Sequence, residues 1–563
     1  MRIALANLNP TVGDLVGNAE RIAQRAQEAR EQGASVLVLP ELALSGYPPR
    51  DLLHMPAFVD ACESHADRLG AEISKDITVV LGLPLRLTAS GPALSNSLLV
   101  YHNGERVARY DKRLLPTYDV FDEDRYFTKG STPTVVEIDG IRIGLSICED
   151  LWRGVDVGRG DRYADDADPV SELVNAGAQI IINPSASPFV VGKHDRHREI
   201  VAQHAKRHGV PVLAVNQLGG NDELVFDGSA WAVDGEGRVT NANHAFSDEL
   251  VVVDTEHMQP MPDAQSDLVV GRLLEALTLG VRDYARKTGF SKVCLGLSGG
   301  IDSALTAAIA CRALGAENVT GIAMPGKYSS DHSVTDAKDL AESLGCRFAF
   351  APIEEPYSGY ESMLNSLFGA LDHSKLGESL PDITEENLQS RVRGAVLMAL
   401  SNRTGALLLT TGNKSELAVG YCTLYGDMNG GLGVLSDVPK NQVYALSRYI
   451  NDLHSELGFG SPPIPENTIT KPPSAELAPD QRDLDSLPPY DVLDEIVRRH
   501  VELHQLAPAI TEETGFDAQT VERIVRLIAI NEYKRKQTPV GLKVTGVAFG
   551  TGRRMPIAQR LSV

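Results

Sequence analysis

Short apolar runs alternate with longer amphipathic segments along the first half of the chain, and this pattern predicts an α/β fold. Apolar runs bounded by turn residues indicate buried strands, and apolar residues spaced three or four apart indicate helices. Strands are predicted at residues 2–7, 34–39, 77–86, 97–103, 134–148, 179–183, 210–216 and 229–233. Helices are predicted at residues 18–32, 169–176 and 193–208. The first half is therefore predicted to be a domain with several buried strands.

The second half repeats a strand and helix alternation that is typical of a parallel, doubly wound sheet. An amphipathic helix at residues 268–288 opens it. Strands are then predicted at residues 292–297, 319–324, 347–351 and 406–411, and helices from residue 304 and at residues 333–344 and 390–401. In such a sheet, ligands lie at the carboxyl ends of the strands.

A polar stretch with two prolines, TEHMQPMPDAQSD at residues 255–267, separates the halves and is predicted to be a linker. We divide the chain into a first domain at residues 1–255, a linker at residues 256–266 and a second domain at residues 267–563.

Composition narrows the classes of partner. The chain has 563 residues, 43% of them hydrophobic, which is enough for large cores. A net charge of −22 argues against a general nucleic-acid or membrane surface, so local basic groups must meet any anionic ligand. The six scattered cysteines form no C-x-x-C pair, and no apolar stretch is long enough to span a bilayer. The N-terminus also lacks a signal-peptide pattern, so a cytoplasmic protein is predicted.

The sequence SGGIDS follows a buried strand and precedes a helix, an arrangement suited to binding phosphate. Glycines let the backbone approach a ligand, and the helix N-terminus presents unpaired N–H groups to an anion. The predicted contacts are Gly296, Leu297, Ser298, Gly299, Gly300, Ile301, Asp302 and Ser303. A Walker A ending is missing, and the alternative is a helix N-terminus with capping serines. The hexapeptide resembles the pyrophosphate loop of ATP-pyrophosphatases, which split ATP into AMP and pyrophosphate.

Three reactive residues of the first half lie at the ends of apolar runs or just after them: Glu41 after VLVLP, Lys112 within RYDKRLLP, and Cys148 at the end of the predicted strand 134–148. Amide hydrolysis needs a thiol nucleophile, a carboxylate that accepts and returns its proton, and a cation near the oxyanion. Each residue alone also has a structural interpretation, because a cysteine after a strand is often a small core residue. The hypothesis is that Cys148 attacks, Glu41 acts as base and then acid, and Lys112 stabilises the tetrahedral intermediate.

The segments PELALSGYPPRDLL, YDKRLLPTYDVFDEDRYF and GLSICEDLW together resemble the nitrilase-family glutaminase domain. The resemblance covers nearly all of the first half and implies a four-layer αββα sandwich with a Glu-Lys-Cys triad. It also implies that Tyr118, Ser187 and Lys193 hold glutamine. Glu123 corresponds to an additional acidic residue beside the triad.

In the second half, TTGNKSE leaves a predicted strand in a polar turn, where Thr411 can contact adenine or ribose. Glu416 from this turn can join Asp302 around Mg²⁺, because carboxylates from two strand ends suit a cation that also binds phosphate. Such a glutamate alone is more often a surface residue.

The segments ENLQSRVRG, TTGNKSELAVGYCTLYGDMNGG, VPKNQVYAL, KPPSAELAPDQ and the C-terminal YKRKQTPVGLKVTGVAFGTGRRMPIA resemble NAD synthetases. With the first half included, the chain resembles bacterial glutamine-dependent NAD(+) synthetases. The resemblance implies ATP contacts by Lys440 and Ser474. It implies contacts to deamido-NAD by Asn387, Arg391, Glu416, Tyr421, Cys422, Thr423, Leu424 and Lys534.

The implied reaction adenylates the nicotinate carboxylate of deamido-NAD with ATP and Mg²⁺, after which ammonia from glutamine displaces AMP. The resemblance also implies an ammonia tunnel and at least a dimer formed through the C-terminal domains. The alternatives are an amidase whose second half only binds nucleotide, a non-catalytic scaffold, and an amidotransferase for another carboxylate. The proline-rich residues 461–490 are predicted to form a long loop that is ordered over bound nucleotide, or else a surface insertion without a role.

Overall fold

The computed structural model describes residues 1–88, 91–153, 162–261, 269–378 and 381–560. The chain divides into two units, Met1–Asp267 and Leu268–Val563. No helix among the described residues is both long and apolar enough to cross a membrane. Residues 262–266 of the predicted linker lie outside the described ranges.

The described residues of the first unit form fourteen strands and four α-helices. The strands are β1 Arg2–Ala6, β2 Val36–Val38, β3 Thr78–Arg86, β4 Leu94–His102, β5 Glu105–Asp111, β6 Val135–Ile138, β7 Ile141–Leu145, β8 Ile180–Ser185, β9 Val212–Asn216, β10 Leu218–Asn221, β11 Leu224–Asp227, β12 Ala230–Val233, β13 Val239–Ala242 and β14 Leu250–Asp254. The helices are α1 Leu15–Glu31, α2 Pro56–Ile73, α3 Pro169–Asn175 and α4 Lys193–His208. Short 3₁₀ helices occupy Arg50–His54, Glu123–Arg125 and Cys148–Leu151.

Two six-stranded sheets form the centre of this unit, in the orders β14-β1-β2-β3-β4-β5 and β13-β12-β9-β8-β7-β6. Alternate residues of a strand face opposite sides, so β1 directs Ile3 and Leu5 between the sheets and Ala4 and Ala6 towards α1 and α2. Helices α3 and α4 cover the second sheet through a further apolar cluster. The four-layer αββα sandwich is therefore confirmed.

The predicted strand at 134–148 is in fact the antiparallel pair β6 and β7. Asp139 and Gly140 form the turn between them, both with positive φ, at 49° and 78°. An Asp-Gly turn of this kind connects the strands of a hairpin. Strands β5, β10, β11, β13 and β14 were not predicted. β5 is rich in charged residues, and β10, β11 and β13 have only four residues each, whereas β14 does contain a run of four apolar residues.

The second unit contains strands β15 Val293–Gly296, β16 Val319–Ala323, β17 Arg347–Phe350, β18 Leu407–Thr410, β19 Leu432–Gly433 and β20 Val540–Gly541. Its helices are α5 Val269–Lys287, α6 Ile301–Leu314, α7 Asp331–Leu344, α8 Glu354–Ala370, α9 Ile383–Thr404, α10 Lys414–Val419, α11 Lys440–Asp452, α12 Glu466–Thr470, α13 Tyr490–Val497, α14 Ala507–Thr514, α15 Ala518–Ile530 and α16 Glu532–Arg535. A π-helical turn at Arg498–Glu502 follows α13, and 3₁₀ helices occupy Ala316–Asn318 and Asp483–Asp485.

All neighbouring strands of this sheet are parallel, in the order β17-β16-β15-β18-β19-β20. The chain winds outwards from β15 in one direction and from β18 in the other. The predicted doubly wound parallel sheet is confirmed. The switch point between β15 and β18 is where such sheets bind ligands.

Several elements of the second unit were not predicted, among them β19, β20, α10, α11 and α13 to α16. Helix α8 was not predicted, because none of its residues is buried and its apolar positions do not form a conventional core stripe. Residues 461–490, predicted as a loop, contain α12 and a 3₁₀ helix. Prolines precede α12 and α13 at Pro465 and Pro489, which is compatible with a helix because a first-turn N–H has no intrahelical partner.

Candidate active sites

The first site brings together Glu41, Lys112 and Cys148 at strand ends of both sheets. Glu41 follows β2, Lys112 directly follows β5, and Cys148 follows β7. Gly82 of β3 allows the Glu41 loop to pass, because a Cβ there would lie 2.5 Å from the backbone nitrogen of Leu42. All three reactive side chains are at least 98% buried. The three side chains thus form a compact group of ionisable residues that is buried from solvent.

Lys112 is held between two carboxylates. Its Nζ donates to Glu41 Oε1 at 2.7 Å and to both carboxylate oxygens of Glu123 at 2.9 Å. Glu41 also accepts hydrogen bonds from Asn96 Nδ2 at 2.7 Å and from the backbone N–H of Ala186 at 2.8 Å. Burial alone would lower the pKa of Lys112, but Glu123 and Glu41 outweigh burial and hold that pKa well above its usual value. The lysine is therefore a fixed cation.

Cys148 begins a 3₁₀ helix with a positive φ of 41°, an uncommon conformation for a residue with a side chain. Such backbone outliers cluster at functional sites. Burial, reinforced by the charge of Glu41, raises the pKa of the thiol well above its usual value, while Lys112 opposes the rise. The thiol therefore needs a neighbouring base to become a nucleophile.

The residues expected to hold glutamine lie around the same end of the sandwich. Ser187 follows β8, and its backbone N–H and carbonyl bond the Asn216 side chain at 2.8 and 2.9 Å. Lys193 is the first residue of α4, and its Nζ donates to the Pro188 carbonyl at 3.2 Å. The Tyr118 hydroxyl donates to the carboxylate of Glu149 at 3.1 Å.

Glu149, the residue after Cys148, was not predicted as a site residue. It is 3% exposed and also accepts a 2.8 Å hydrogen bond from the Tyr163 hydroxyl. Burial raises the pKa of Glu149. From sequence alone, an acid on a short helix cannot be distinguished from a surface residue, although its position beside the nucleophile was a usable signal.

The second site is a cavity of about 460 Å³ at the switch point of the parallel sheet. The loop after β15 and the turn after β18 both line it. Gly299 has a φ of 76°, and a Cβ there would lie 2.3 Å from the Ser333 carbonyl oxygen, so only glycine fits. The Ser298 hydroxyl accepts the Gly300 N–H at 3.2 Å and contacts the Ser303 hydroxyl at 3.2 Å. These contacts fix the loop at the start of α6.

Lys440 joins the two carboxylates that were predicted to bind metal. Its Nζ lies 2.5 Å from Asp302 Oδ2 and 3.1 Å from Glu416 Oε1. Asn413 positions both carboxylates, since its Nδ2 donates to Asp302 Oδ1 at 2.9 Å while its Oδ1 caps α10 at the Glu416 N–H. Burial raises the pKa of Glu416 to about 7, although Lys440 opposes the rise.

A connected group of residues borders the other side of the cavity. Lys534 Nζ donates to the carbonyls of Gly420 and Cys422 at 2.7 and 2.9 Å, and the Thr423 hydroxyl donates to Asn387 Oδ1 at 2.8 Å. The lysine therefore sets the backbone that carries Tyr421 and Cys422, both of which line the cavity.

Most of the predicted residues of the second half line this cavity, Thr411 and Ser474 among them. Gly296, Gly299, Arg391 and Leu424 are not among its lining residues. Arg391 is exposed, and its Nε donates to the Leu424 carbonyl at 3.1 Å.

Comparison with known proteins shows the family to which the chain belongs. The description "Carbon-nitrogen hydrolase" matches residues 2–156 and 168–259, and "NAD synthase" matches residues 273–538. A glutamine-dependent NAD(+) synthetase of Synechocystis sp. is 45% identical over 572 residues, covering 99% of this chain and 98% of the relative. One of Thermotoga maritima is 40% identical over 598 residues, with 100% and 99% coverage.

The chain belongs to the glutamine-dependent NAD(+) synthetase family. It is therefore an enzyme, and the interpretation as an amidase without synthetase activity is not favoured. The solved structure of a glutamine-dependent NAD(+) synthetase from Acinetobacter baumannii, in complex with ADP, is similar with a TM-score of 0.76 at 37% identity. It covers 99% of this chain and 98% of the other. A synthetase structure from Cytophaga hutchinsonii gives a TM-score of 0.83 at 25% identity, with the same coverage.

The cavity lining of this NAD(+) synthetase family member includes residues that were not predicted, among them the charged residues Arg393 and Asp427. Arg393 lies on the cavity face of α9, and its Nε donates to the Met324 carbonyl at 2.9 Å. Burial raises the pKa of Asp427 to about 6, against a hydrogen bond from the Thr423 N–H. The sequence does not show which way a charged side chain points when it belongs to a helix or a polar turn.

Proposed function

We propose that the first unit hydrolyses glutamine and that the second uses the ammonia to convert deamido-NAD and ATP into NAD⁺, AMP and pyrophosphate. The single observation that carries this proposal is the presence of both complete sets of site residues in one chain. Cys148, Glu41 and Lys112 form one set. Asp302, Lys440 and the Ser-Gly-Gly loop form the other.

Glutamine hydrolysis begins with attack of Cys148 Sγ on the amide carbonyl, while Glu41 accepts the thiol proton. The ammonium of Lys112 offsets the negative charge on the tetrahedral oxygen. Glu41 returns the proton to the leaving nitrogen, so ammonia departs and a thioester remains. Water then attacks the thioester with Glu41 as base, which releases glutamate and restores the thiol.

Substrate recognition in this site uses both charges of the amino acid. Lys193 supplies a cation for the α-carboxylate, and the buried carboxylate of Glu149 suits the α-ammonium group. Tyr118 fixes the Glu149 carboxylate through its hydroxyl, and Ser187 adds backbone polar groups. These roles follow from the charge of each group and its position around Cys148.

In the second site, the nicotinate carboxylate attacks the α-phosphorus of ATP and pyrophosphate leaves. Loop N–H groups at the start of α6 and the Lys440 ammonium offset the charge of the phosphates. Ammonia then attacks the acyl adenylate, and AMP departs. The raised pKa of Asp427 near 6 makes this carboxylate suitable for accepting a proton from the attacking nitrogen.

The donor set of this site fits Mg²⁺, since Asp302 and Glu416 are hard oxygen ligands on the cavity wall. Both carboxylates contact Lys440, and phosphate binding gives that ammonium an alternative anionic partner. Mg²⁺ bound by Asp302 and Glu416 supplies charge neutralisation for the phosphate oxygens.

We place the boundary between the two activities at the linker, with the glutaminase at residues 1–255 and the synthetase at residues 267–563. The family matches, which end at residue 259 and resume at residue 273, support this division. None of the six cysteines forms a disulfide, which supports a cytoplasmic location.

A second copy of the chain is the proposed partner of the second unit. Tyr360, Met363, Leu367 and Leu371 share one side of α8 and its end, and each is between 45% and 58% exposed. The adjoining side, which includes Leu364 and Phe368, packs against the apolar cluster to which α9 contributes. An apolar row of this kind is typical of a helix that pairs with another subunit.

The test is NAD formation from deamido-NAD, ATP and Mg²⁺, with glutamine or with ammonium chloride as the nitrogen source. Both sources are expected to give NAD and equimolar pyrophosphate. Glutamine hydrolysis without NAD from either source would overturn the synthetase assignment. NAD from ammonium but not from glutamine would overturn the glutaminase assignment.

A further inference from the structure

One carboxylate outside the triad, that of Asp150, joins the backbone segments beside two triad members. Asp150 is fully buried. Its Oδ2 accepts hydrogen bonds from the Ile147 N–H at 2.8 Å and the Tyr110 hydroxyl at 2.7 Å. Its Oδ1 accepts the N–H groups of Arg113 at 3.1 Å and Leu114 at 2.9 Å. Both oxygens are therefore fully used as acceptors.

The partners are adjacent to the reactive residues. Ile147 immediately precedes Cys148, and Arg113 immediately follows Lys112. Cys148 has the positive φ of 41°, a conformation that surrounding contacts must maintain. Lys112 follows a strand of the first sheet and Cys148 follows a strand of the second. The Asp150 carboxylate thus connects the two sheets where the nucleophile and the cation meet.

We infer that Asp150 is a positioning residue of the glutaminase reaction, because it holds the Cys148 turn and the Lys112 strand end in a fixed position relative to each other. This inference rests on the glutaminase activity proposed above. Asp150 acts through the backbone and touches neither glutamine nor the reacting atoms. Burial raises the pKa of Asp150, while the hydrogen bonds from Tyr110, Ile147 and Leu114 oppose that rise. All four partners are donors, an arrangement that stabilises the carboxylate form.

The substitution Asp150→Asn tests this role because it keeps the shape and removes one acceptor. Whichever way the amide is turned, its NH₂ group faces N–H or O–H donors, and one of the two backbone segments loses its anchor. The matched control is Tyr110→Phe, which removes one side-chain hydrogen bond to the same carboxylate and keeps the backbone hydrogen bonds from Ile147, Arg113 and Leu114.

Steady-state glutamine hydrolysis is measured for the full chain and both variants. For Asp150→Asn we expect kcat to fall at least 50-fold and KM to change less than fivefold, because alignment of the reacting groups is lost more than substrate binding. Tyr110→Phe should stay within fivefold of the native kcat. NAD formation from ammonium should stay within twofold of native in both variants.

A second measurement separates positioning from a simple change of charge. The rate of Cys148 alkylation by iodoacetamide is followed against pH, with the modified peptide quantified by mass spectrometry. If Lys112 moves away from the thiol, the midpoint for Asp150→Asn shifts to higher pH. Loss of a nearby negative charge without movement would shift the midpoint to lower pH.

The inference is overturned if folded Asp150→Asn keeps a kcat within threefold of native, or if its alkylation midpoint stays or falls. An equal loss in Tyr110→Phe would also overturn it, because the cause would then be general destabilisation. If Asp150→Asn does not fold, Asp150→Ser takes its place, since water can fill the space and bond the same N–H groups. Failure of native protein to hydrolyse glutamine would instead overturn the proposed function.

Discussion

Replacement of Glu123 by glutamine should change how the stability of the first unit depends on pH. Glu123 is 4% exposed and shares the Lys112 ammonium with Glu41. The Tyr47 hydroxyl also donates to it at 2.8 Å. Burial raises the pKa of Glu123 from 4.5 to about 7, although Lys112 opposes the rise. Ionising this carboxyl in the folded protein is therefore unfavourable, even beside a lysine.

The magnitude follows from the difference between the folded and unfolded pKa of Glu123. A tenfold change in an acid dissociation constant corresponds to about 1.4 kcal/mol, so a rise in pKa from 4.5 to about 7 corresponds to roughly 3 kcal/mol. Because the folded-state pKa lies above the unfolded one, this contribution is present below about pH 4.5 and is lost as the pH rises towards about 7. Glu123→Gln cannot ionise, so the variant should gain about 3 kcal/mol relative to native protein between pH 4.5 and pH 8.

Urea unfolding followed by tryptophan fluorescence measures this difference in the full chain. Both tryptophans, Trp152 and Trp231, lie in the first unit, so their fluorescence reports on that unit alone. The free energy of unfolding of each protein is determined at several pH values. A difference between variant and native that stays constant within 1 kcal/mol from pH 4.5 to pH 8 would refute the reasoning.

Three further predictions concern the second unit. Lys440→Met should lower ammonium-dependent NAD formation at least 100-fold. The ATP phosphates lose a neighbouring cation, and the carboxylates of Asp302 and Glu416 lose their ion-pair partner. The rate of glutamine hydrolysis by Lys440→Met should change less than threefold. The rate of NAD formation by the control variant Arg448→Met, at an exposed residue of the same helix, should also change less than threefold. An active Lys440→Met would contradict the role assigned to Lys440. ATP with deamido-NAD should slow proteolytic cleavage within residues 471–490. Equal cleavage with and without ligands would refute the hypothesis that this segment becomes ordered over bound nucleotide. Leu367→Glu should convert a native dimer to monomer in light scattering, while the control Val16→Glu, at another exposed apolar residue, should not. A dimeric Leu367→Glu would argue against pairing through α8.

Strands β15, β16 and β18 of the second half were predictable because their apolar runs are short and have polar turns on both sides. Strand β15 and the loop after it illustrate this, since Val293–Gly296 is followed directly by the Ser-Gly-Gly turn. The positive φ of Gly299 and its tight approach to Ser333 explain why glycine is required there. The residue types of this segment favour the same strand, turn and helix that the fold contains, so the sequence was sufficient to predict them.

Groups that depend on tertiary contacts were not predictable. Asp150 and Glu149 are adjacent acids, and only the packed structure distinguishes the backbone anchor from the partner of Tyr118. Arg391 and Arg393 are two residues apart on α9, yet only Arg393 lines the cavity. The direction of a side chain on a helix depends on its packing, which a charged sequence does not specify.

The central claim is that nitrogen passes from glutamine in the first unit to the product of the second. The decisive measurement supplies amide-¹⁵N glutamine together with unlabelled ammonium, ATP, Mg²⁺ and deamido-NAD, and determines the isotope in the NAD formed by mass spectrometry. Native protein should give ¹⁵N-labelled NAD. Cys148→Ala should give NAD at a comparable ammonium-dependent rate but without label. Labelled NAD from Cys148→Ala, or no NAD from the native chain, would contradict the account.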